Sequence, residues 1–316
     1  MEQPNRLRIT VRAVSARTNM SHTDRQPTIE SAAGARRHGP LASLQRLKRT
    51  LKRRHKGYKA DVLVVSHAKS GRTWLATMLS HVYIRRYGLP ENEAVQFDRL
   101  RKRDKRVPNI VLSHDNQKGS AKVPLFKAEK LARHKIVLLV RHPCDVAVSA
   151  YHQSLRDGRK GLEPDHAGRP LFDYVVQDKL PTVLTFLQRW QGQLDAMDAA
   201  LVIRYEDLHA QPAVELARLL SFIEGAADPA EIEAAVAFGA FEQMRRREAE
   251  GYFMSDRLRP GDAGDPRSFK VREGRTGGYR ERFTAAELAR IDALLAEADL
   301  AAFGYAPGCE VEEFPA

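Results

Sequence analysis

The stretch VVSHAKSGRTWLATMLSHVY, residues 64–83, decides how the chain is read. It leaves an apolar run, DVLVVS (61–66), and crosses a polar junction of Lys69, Ser70, Gly71, Arg72 and Thr73. It then enters a pattern in which Trp74, Leu75, Met78, Leu79, Val82 and Tyr83 mark one helical face, closed by Gly88 and Pro90. Strand, polar turn and helix in that order put the turn at the carboxyl end of the strand and the amino end of the helix. Unpaired N–H groups and the helix dipole there attract phosphate or a similar anion.

Three further apolar runs have strand character: NIVLS (109–113), KIVLLV (135–140) and ALVIR (200–204). They are continuous rather than alternating, as expected of strands buried on both faces of a parallel sheet. Helical patterns follow Pro143, with Val146, Ala147, Ala150 and Tyr151 on one face, and begin at the N-cap Asp228-Pro229-Ala230-Glu231. Thr284-Ala285-Ala286-Glu287 is a capping box ahead of Leu288, Ile291, Leu295 and Ala298. There is no internal repeat. The order predicts an α/β fold, P-loop-like and doubly wound, with a mostly parallel sheet flanked by helices. Such sheets bind ligands at their carboxyl edge.

The formal charge of +12 is concentrated at one end of the chain. Residues 1–60 hold 15 Lys and Arg against Glu2, Asp24 and Glu30, which leaves the remainder neutral and gives no field that favours DNA or RNA. Residues 1–57 read as a basic, mobile extension and residues 58–316 as the main domain. Within the extension, Leu41, Leu44, Leu47 and Leu51 recur at helical spacing among Arg46, Lys48, Arg49, Lys52, Arg53 and Arg54. This basic amphipathic helix either lies on an anionic membrane surface, through residues 40–56, or packs its leucines on its own domain. No apolar run reaches the ~18 residues of a membrane span. Cys144 and Cys309 make neither a disulfide framework nor a zinc site, so the expected setting is reducing and cytoplasmic, with peripheral membrane contact as a variant.

The polar junction fails the Walker A pattern at two fixed positions, where Ser66 stands for the first glycine and Arg72 for the lysine. Elsewhere, Arg141 ends the third strand and Ser149 lies eight residues on, sharing a helical face with Asp145 and His152. A guanidinium and a hydroxyl can thus enter one cleft, as a second phosphate would require. An arginine alone at position 141 is more often a salt-bridged surface residue, and a lone tyrosine after a strand, as at 205, is more often core. Arg272, Gly274, Arg275, Thr276, Gly277 and Gly278 form a glycine-rich loop that permits close backbone approach.

Four segments in register resemble the sulfotransferases that use 3′-phosphoadenosine 5′-phosphosulfate (PAPS). AKSGRTW resembles their PKSGTTW loop, VLLVRHPCDVAVSAYHQ (137–153) their RNPKDVAVSYY segment, VIRYEDLHAQP (202–212) their YEDLKEDP segment and FKVREGRTGGYRERFT (269–284) their RKGxxGDWKxxFT segment. The resemblance covers about residues 60–305. It implies that Lys69, Ser70, Gly71, Arg72, Thr73 and Trp74 grip the 5′-phosphosulfate, that Arg141, Ser149, Arg272 and Gly274 take the 3′-phosphate, and that Tyr205 and Phe241 lie beside the adenine. It further implies Lys69 as the cation at the leaving oxygen and His114, which matches the histidine of the KTHLP segment, as general base. The donor is then PAPS, no metal is required, and the acceptor is a hydroxyl on a small molecule, lipid or glycan. Leu112 stands where the family has the lysine of KTH, Asp115 where it has leucine, Glu273 where RKG has lysine and Tyr279 where it has tryptophan. Gly239 and Ala240 replace the hydroxyl residues before Phe241. The rival readings are an ATP-dependent P-loop kinase and a non-catalytic nucleotide-binding protein. Oligomeric state, and whether Lys118 substitutes for the lysine missing at Leu112, have no signal in the sequence.

Overall fold

Along the first strand, β1 (Val62–Ser66), successive side chains serve opposite faces of one sheet. Val62 and Val64 join a core cluster with Leu75, Met78 and Leu79, whereas Leu63 and Val65 join another with Phe186, Leu187 and Trp190. Burial on both faces is the physical cause of the uninterrupted apolar run. β2 (Ile110–Ser113) pairs parallel with β1 on one side and β3 (Lys135–Val140) on the other. β4 (Ala199–Arg204) pairs parallel with β3, giving the order β2-β1-β3-β4. The structure is a computed structural model that describes residues 40–115, 125–159, 168–259, 269 and 274–305. The readings made above at Lys118, Arg272, Glu273 and Cys309 fall outside those residues.

The flanking helices are α1 (Pro40–Tyr58), α2 (Arg72–Tyr87), α3 (Phe97–Arg103), α4 (Pro143–Arg159) and α5 (Leu180–Leu194). They continue with α6 (Tyr205–Ala210), α7 (Pro212–Glu224), α8 (Pro229–Gly239), α9 (Phe241–Ala249) and α10 (Ala285–Ala298). The start signals read from sequence are realised. The Asp228 carboxylate accepts from the Ala230 N–H, and Thr284 and Glu287 close a reciprocal capping box. β1 and β2 begin at the second residue of their apolar runs, and the first residues are tied to each other, the Asp61 carboxylate accepting from the Asn109 N–H at 2.7 Å.

The chain divides into two compact units, residues 1–44 and 45–316, so the second takes in most of α1. Within that unit, Arg53 Nη2 donates to the Asp115 carbonyl at 2.8 Å, Arg54 Nε to the Leu125 carbonyl at 2.8 Å, and Lys56 pairs with Asp98. Lys48, Arg49, Leu51 and Lys52 are exposed. The helix therefore spends part of its basic side on the domain. No helix among the described residues is long and apolar enough to cross a membrane.

α2 lies against α8, and their contact leaves no room at Gly239. A Cβ there would stand 2.5 Å from Met78 Cγ, and the Trp74 indole donates to the Gly239 carbonyl at 2.8 Å. Met78 is fully buried and has nowhere to retreat. Gly239→Ala should therefore cost ~1–3 kcal/mol, read as a lower denaturant midpoint at unchanged m-value. A neutral substitution would show that the two helices can part freely.

Candidate active site

The strand order makes β1 the point from which the chain runs first to one side and then to the other. The crevice therefore opens at the carboxyl ends of β1 and its neighbours. Four short segments meet there: 67–71 after β1, 114–115 after β2, 141–142 after β3 and the start of α6 after β4. Lys69 and Asp115 hold left-handed φ angles of 75° and 53°, so two side chains in this rim sit where backbone strain costs of order 1 kcal/mol. Gly71, φ 85°, caps α2, and its Cβ would fall 2.4 Å from the Tyr205 ring. Only glycine serves here, on both counts. The Arg72 and Thr73 amides at the start of α2 precede the first helical acceptor, whereas the Trp74 N–H already donates to the Gly71 carbonyl at 2.9 Å.

On the β2 side, His114 Nδ1 lies 3.1 Å from the Ser66 carbonyl and Nε2 lies 2.7 Å from Arg72 Nη2. A carbonyl only accepts and a guanidinium only donates. Nδ1 therefore carries the proton, and Nε2 presents its lone pair. Burial, and secondarily the Arg72 charge, lowers the His114 pKa to about 3, so the ring is neutral at physiological pH. Burial also lowers that of Arg72, to about 9, with Arg257 and Arg53 adding repulsion, which leaves the guanidinium charged at pH 7. Asp115, beside His114, accepts the Leu125 N–H at 2.6 Å, pairs with Arg189 and has its carbonyl held by Arg53.

On the β3 side, Arg141 ties several segments together. Nη1 donates to the Lys69 carbonyl at 3.2 Å, Nη2 to the Arg275 carbonyl at 2.8 Å, and the guanidinium carbon lies 4.2 Å from the Tyr205 ring centroid. Asp145 accepts from Gly277 N at 2.8 Å and Tyr279 N at 3.2 Å, which pins the glycine-rich loop to the start of α4. Trp74 meets Tyr205 edge-on at 5.9 Å, and both rings approach His209. His209 in turn hydrogen-bonds the Gly274 main chain. Gly274 adjoins Phe241, whose Cδ2 would lie 3.3 Å from a Cβ at that glycine. Ser149 is half-buried on α4.

Two buried guanidinium nitrogens in this arrangement, Arg72 Nη1 and Arg141 Nε, have no hydrogen-bond partner among the described residues. A buried unpaired donor costs ~1–3 kcal/mol, more when charged, and an anion in the crevice would remove that cost. The chemistry of the site therefore fits a ligand with more than one anionic group.

The sulfotransferase domain family matches residues 59–303. The chain belongs to that family. Among curated relatives of this sulfotransferase, sulfotransferase 1A1 of Canis lupus familiaris is 25% identical over 244 residues, covering 74% of this chain and 81% of the relative. Flavonol 3-sulfotransferase of Flaveria bidentis is 25% identical over 263 residues, covering 77% and 82%. The fold is shared with a mouse sulfotransferase complexed with PAP at TM-score 0.52 and 20% identity, covering 75% of this chain and 83% of that one. It is shared also with retinol dehydratase in complex with retinol and PAP at TM-score 0.55 and 16% identity, covering 79% and 86%.

In this sulfotransferase, Lys69 through Trp74, His114, Arg141, Tyr205, Phe241 and Gly274 all lie on or beside the crevice segments. Arg272 is outside the described residues. His209 was missed from sequence, although its i+4 spacing from Tyr205 on α6 was available as a signal. Arg189 and Arg53 had none, because each reaches Asp115 from a distant helix. His67 lies inside the same rim as a structural residue, packed edge-on to Phe186 at 5.6 Å with Nδ1 2.8 Å from the Ala68 carbonyl.

Burial, helped by Lys179, lowers the His67 pKa to about 3. Its folded value lies below its unfolded value, so its contribution is present above about pH 6.5 and is lost as the pH falls from there towards 3. Burial raises the Asp145 and Glu206 carboxyls, which act in the opposite direction, so comparison with a variant isolates the histidine. His67→Gln should narrow the stability loss between pH 7 and pH 5 by about 2 kcal/mol in urea titrations. Parallel pH profiles for variant and parent would mean that His67 protonates in the folded state.

Proposed function

We propose that Lys69 and His114 carry the transfer in this PAPS-dependent sulfotransferase, with the 3′- and 5′-phosphate ends held by the β3 and β1 loops. The observation that carries this reading is a neutral imidazole in contact with Arg72 at the carboxyl edge of the sheet, where Arg72 Nη1 and, on the β3 side, Arg141 Nε are buried without a hydrogen-bond partner among the described residues. When bound, PAPS supplies an activated sulfuryl group on a phosphate leaving group. Lys69, Ser70, Gly71, Arg72, Thr73 and Trp74 surround the α2 terminus and bind its 5′-phosphosulfate, with Arg72 on the side of the sulfuryl group rather than of the phosphate. Arg141, Ser149, Gly274 and Arg272 take the 3′-phosphate, and Tyr205 and Phe241 line the adenine. The Lys69 ammonium stabilises charge that develops on the departing oxygen. His114 Nε2, with its lone pair set by the Ser66 carbonyl on the far nitrogen, accepts the proton of the acceptor hydroxyl.

For the acceptor, the related flavonol 3-sulfotransferase and the structurally similar retinol dehydratase complex with retinol favour a hydroxyl on a small organic molecule. Contact of residues 40–56 with an anionic membrane would use the exposed Lys48, Arg49, Leu51 and Lys52, and vesicle co-sedimentation of Lys48→Glu/Lys52→Glu tests it. A panel of hydroxylated acceptors with labelled PAPS identifies the substrate class.

Calorimetry should find 3′-phosphoadenosine 5′-phosphate binding at least ~10²-fold more tightly than AMP, because the second phosphate meets its own guanidinium. Equal affinities would remove the two-phosphate site. Lys69→Ala and His114→Ala should each lower kcat by ~10²-fold or more while keeping the circular dichroism of the parent. Near-parental rates in both would overturn their roles.

A further inference from the structure

Arg72 stands where the related loops carry a small hydroxyl residue, and its guanidinium is committed on one side only. Nη2 donates to the lone pair of His114 Nε2, the atom that must accept the acceptor's proton, while Nη1 is buried without a partner among the described residues. Among the described residues, no carboxylate pairs with it. The Asp115 carboxylate is taken by Arg189 and the Leu125 N–H, and the charges that press on Arg72 are those of Arg257 and Arg53. Leu112, two residues before His114 on the same side of β2, packs into the core under α2 and supplies no charge.

We propose that Arg72 is a catalytic residue that holds His114 Nε2 in the resting enzyme and yields it to the acceptor hydroxyl. Its released guanidinium then binds the oxygens of the sulfuryl group in transfer, as the cation that Leu112 cannot provide. The proposal rests on His114 as base and on the PAPS site described above. The acceptor oxygen forms the new S–O bond as its proton passes to His114 Nε2. The old S–O bond breaks, and its electron pair stays on the departing phosphate oxygen beside Lys69. A guanidinium suits this exchange because it stays charged at pH 7 and has separate N–H groups, so it can lose an imidazole and gain an anion without deprotonating.

The arrangement also controls the base. His114 is faced by Arg72 from α2, the Ser66 carbonyl from β1, His67 from the following loop and Arg257 from the segment after α9, with Arg53 and Asp115 nearby. Among these, Arg72 is the charged group in contact with it. While Arg72 is in place, His114 resists protonation, and once Arg72 moves to an anion the imidazole becomes a stronger base. The enzyme thus raises the basicity of His114 at the moment the proton must move.

The test compares Arg72→Gln and Arg72→Lys with the parent and with His114→Ala. Gln keeps a donor but loses the charge, whereas Lys keeps the charge. Arg72→Gln should lower kcat by ~10²-fold, Lys should recover part of that loss, and KM for the acceptor should change little. PAP lacks the sulfuryl group, so its affinity for Arg72→Gln should stay within about threefold of the parent. Proton NMR of the free protein supplies a readout independent of turnover: the His114 ring in Arg72→Gln should titrate at higher pH than in the parent. Equal losses in PAP affinity and kcat with an unmoved His114 titration would make Arg72 a phosphate ligand only, and an unchanged kcat would end the proposal. Full activity of His114→Ala would instead refute the underlying base assignment.

Discussion

The hydrogen-bonded position of β1 between two parallel partners is the constraint on which the site depends. Because both edges of β1 are used, the loops that follow β1, β2 and β3 must emerge side by side at one edge of the sheet. Alternate side chains of β1 lock into separate apolar clusters, so a slip of one residue would exchange the two faces and is prevented by burial on both. The left-handed turns at Lys69 and Asp115 persist because clamps hold their carbonyls, Arg141 on the first and Arg53 on the second.

Arginines organise this edge in two different ways. Arg141 is structural as well as cationic: one guanidinium spans the β1 loop, the glycine-rich loop and the Tyr205 ring, with Asp145 3.9 Å away. It therefore ties the positions of the two loops to each other. Arg72 is unbalanced instead, with an imidazole on one side and, on the other, a nitrogen that has no hydrogen-bond partner among the described residues. A buried cation left incomplete in this way costs stability, and an anion bound to it would return that energy.

The fold was largely legible because its signals are local. Runs of Val, Ile and Leu buried on both faces, the Gly88 stop, the Asp228 cap and the Thr284 capping box each act within a few residues, and each appears in the structure within about one residue of its expected place. The helix at residues 40–58 was legible as a helix, but the residues that would seat it were not. Arg53, Arg54 and Lys56 pair with Asp115, Leu125 and Asp98, partners that no helical period reveals. At the site, residue types and order put Lys69, His114 and Arg141 at the carboxyl edge of the sheet, and the structure has them there. The Trp74, Tyr205 and His209 ring group, and the pinning of Gly277 and Tyr279 by Asp145, needed the fold.

By itself the sequence determined the alternation of strands and helices, the address of the polar loop and the chemical character of its residues, because these follow from apolar periodicity and from the few conformations a short segment allows. Only the tertiary structure decided which charged groups would meet. The Arg72 guanidinium comes to rest on His114, and Arg189 on Asp115, because β2 lies beside β1 and α5 packs across the same edge. Electrostatic partners are chosen by distance in space and by exclusion of water, and neither quantity is written in the spacing of residues along a chain.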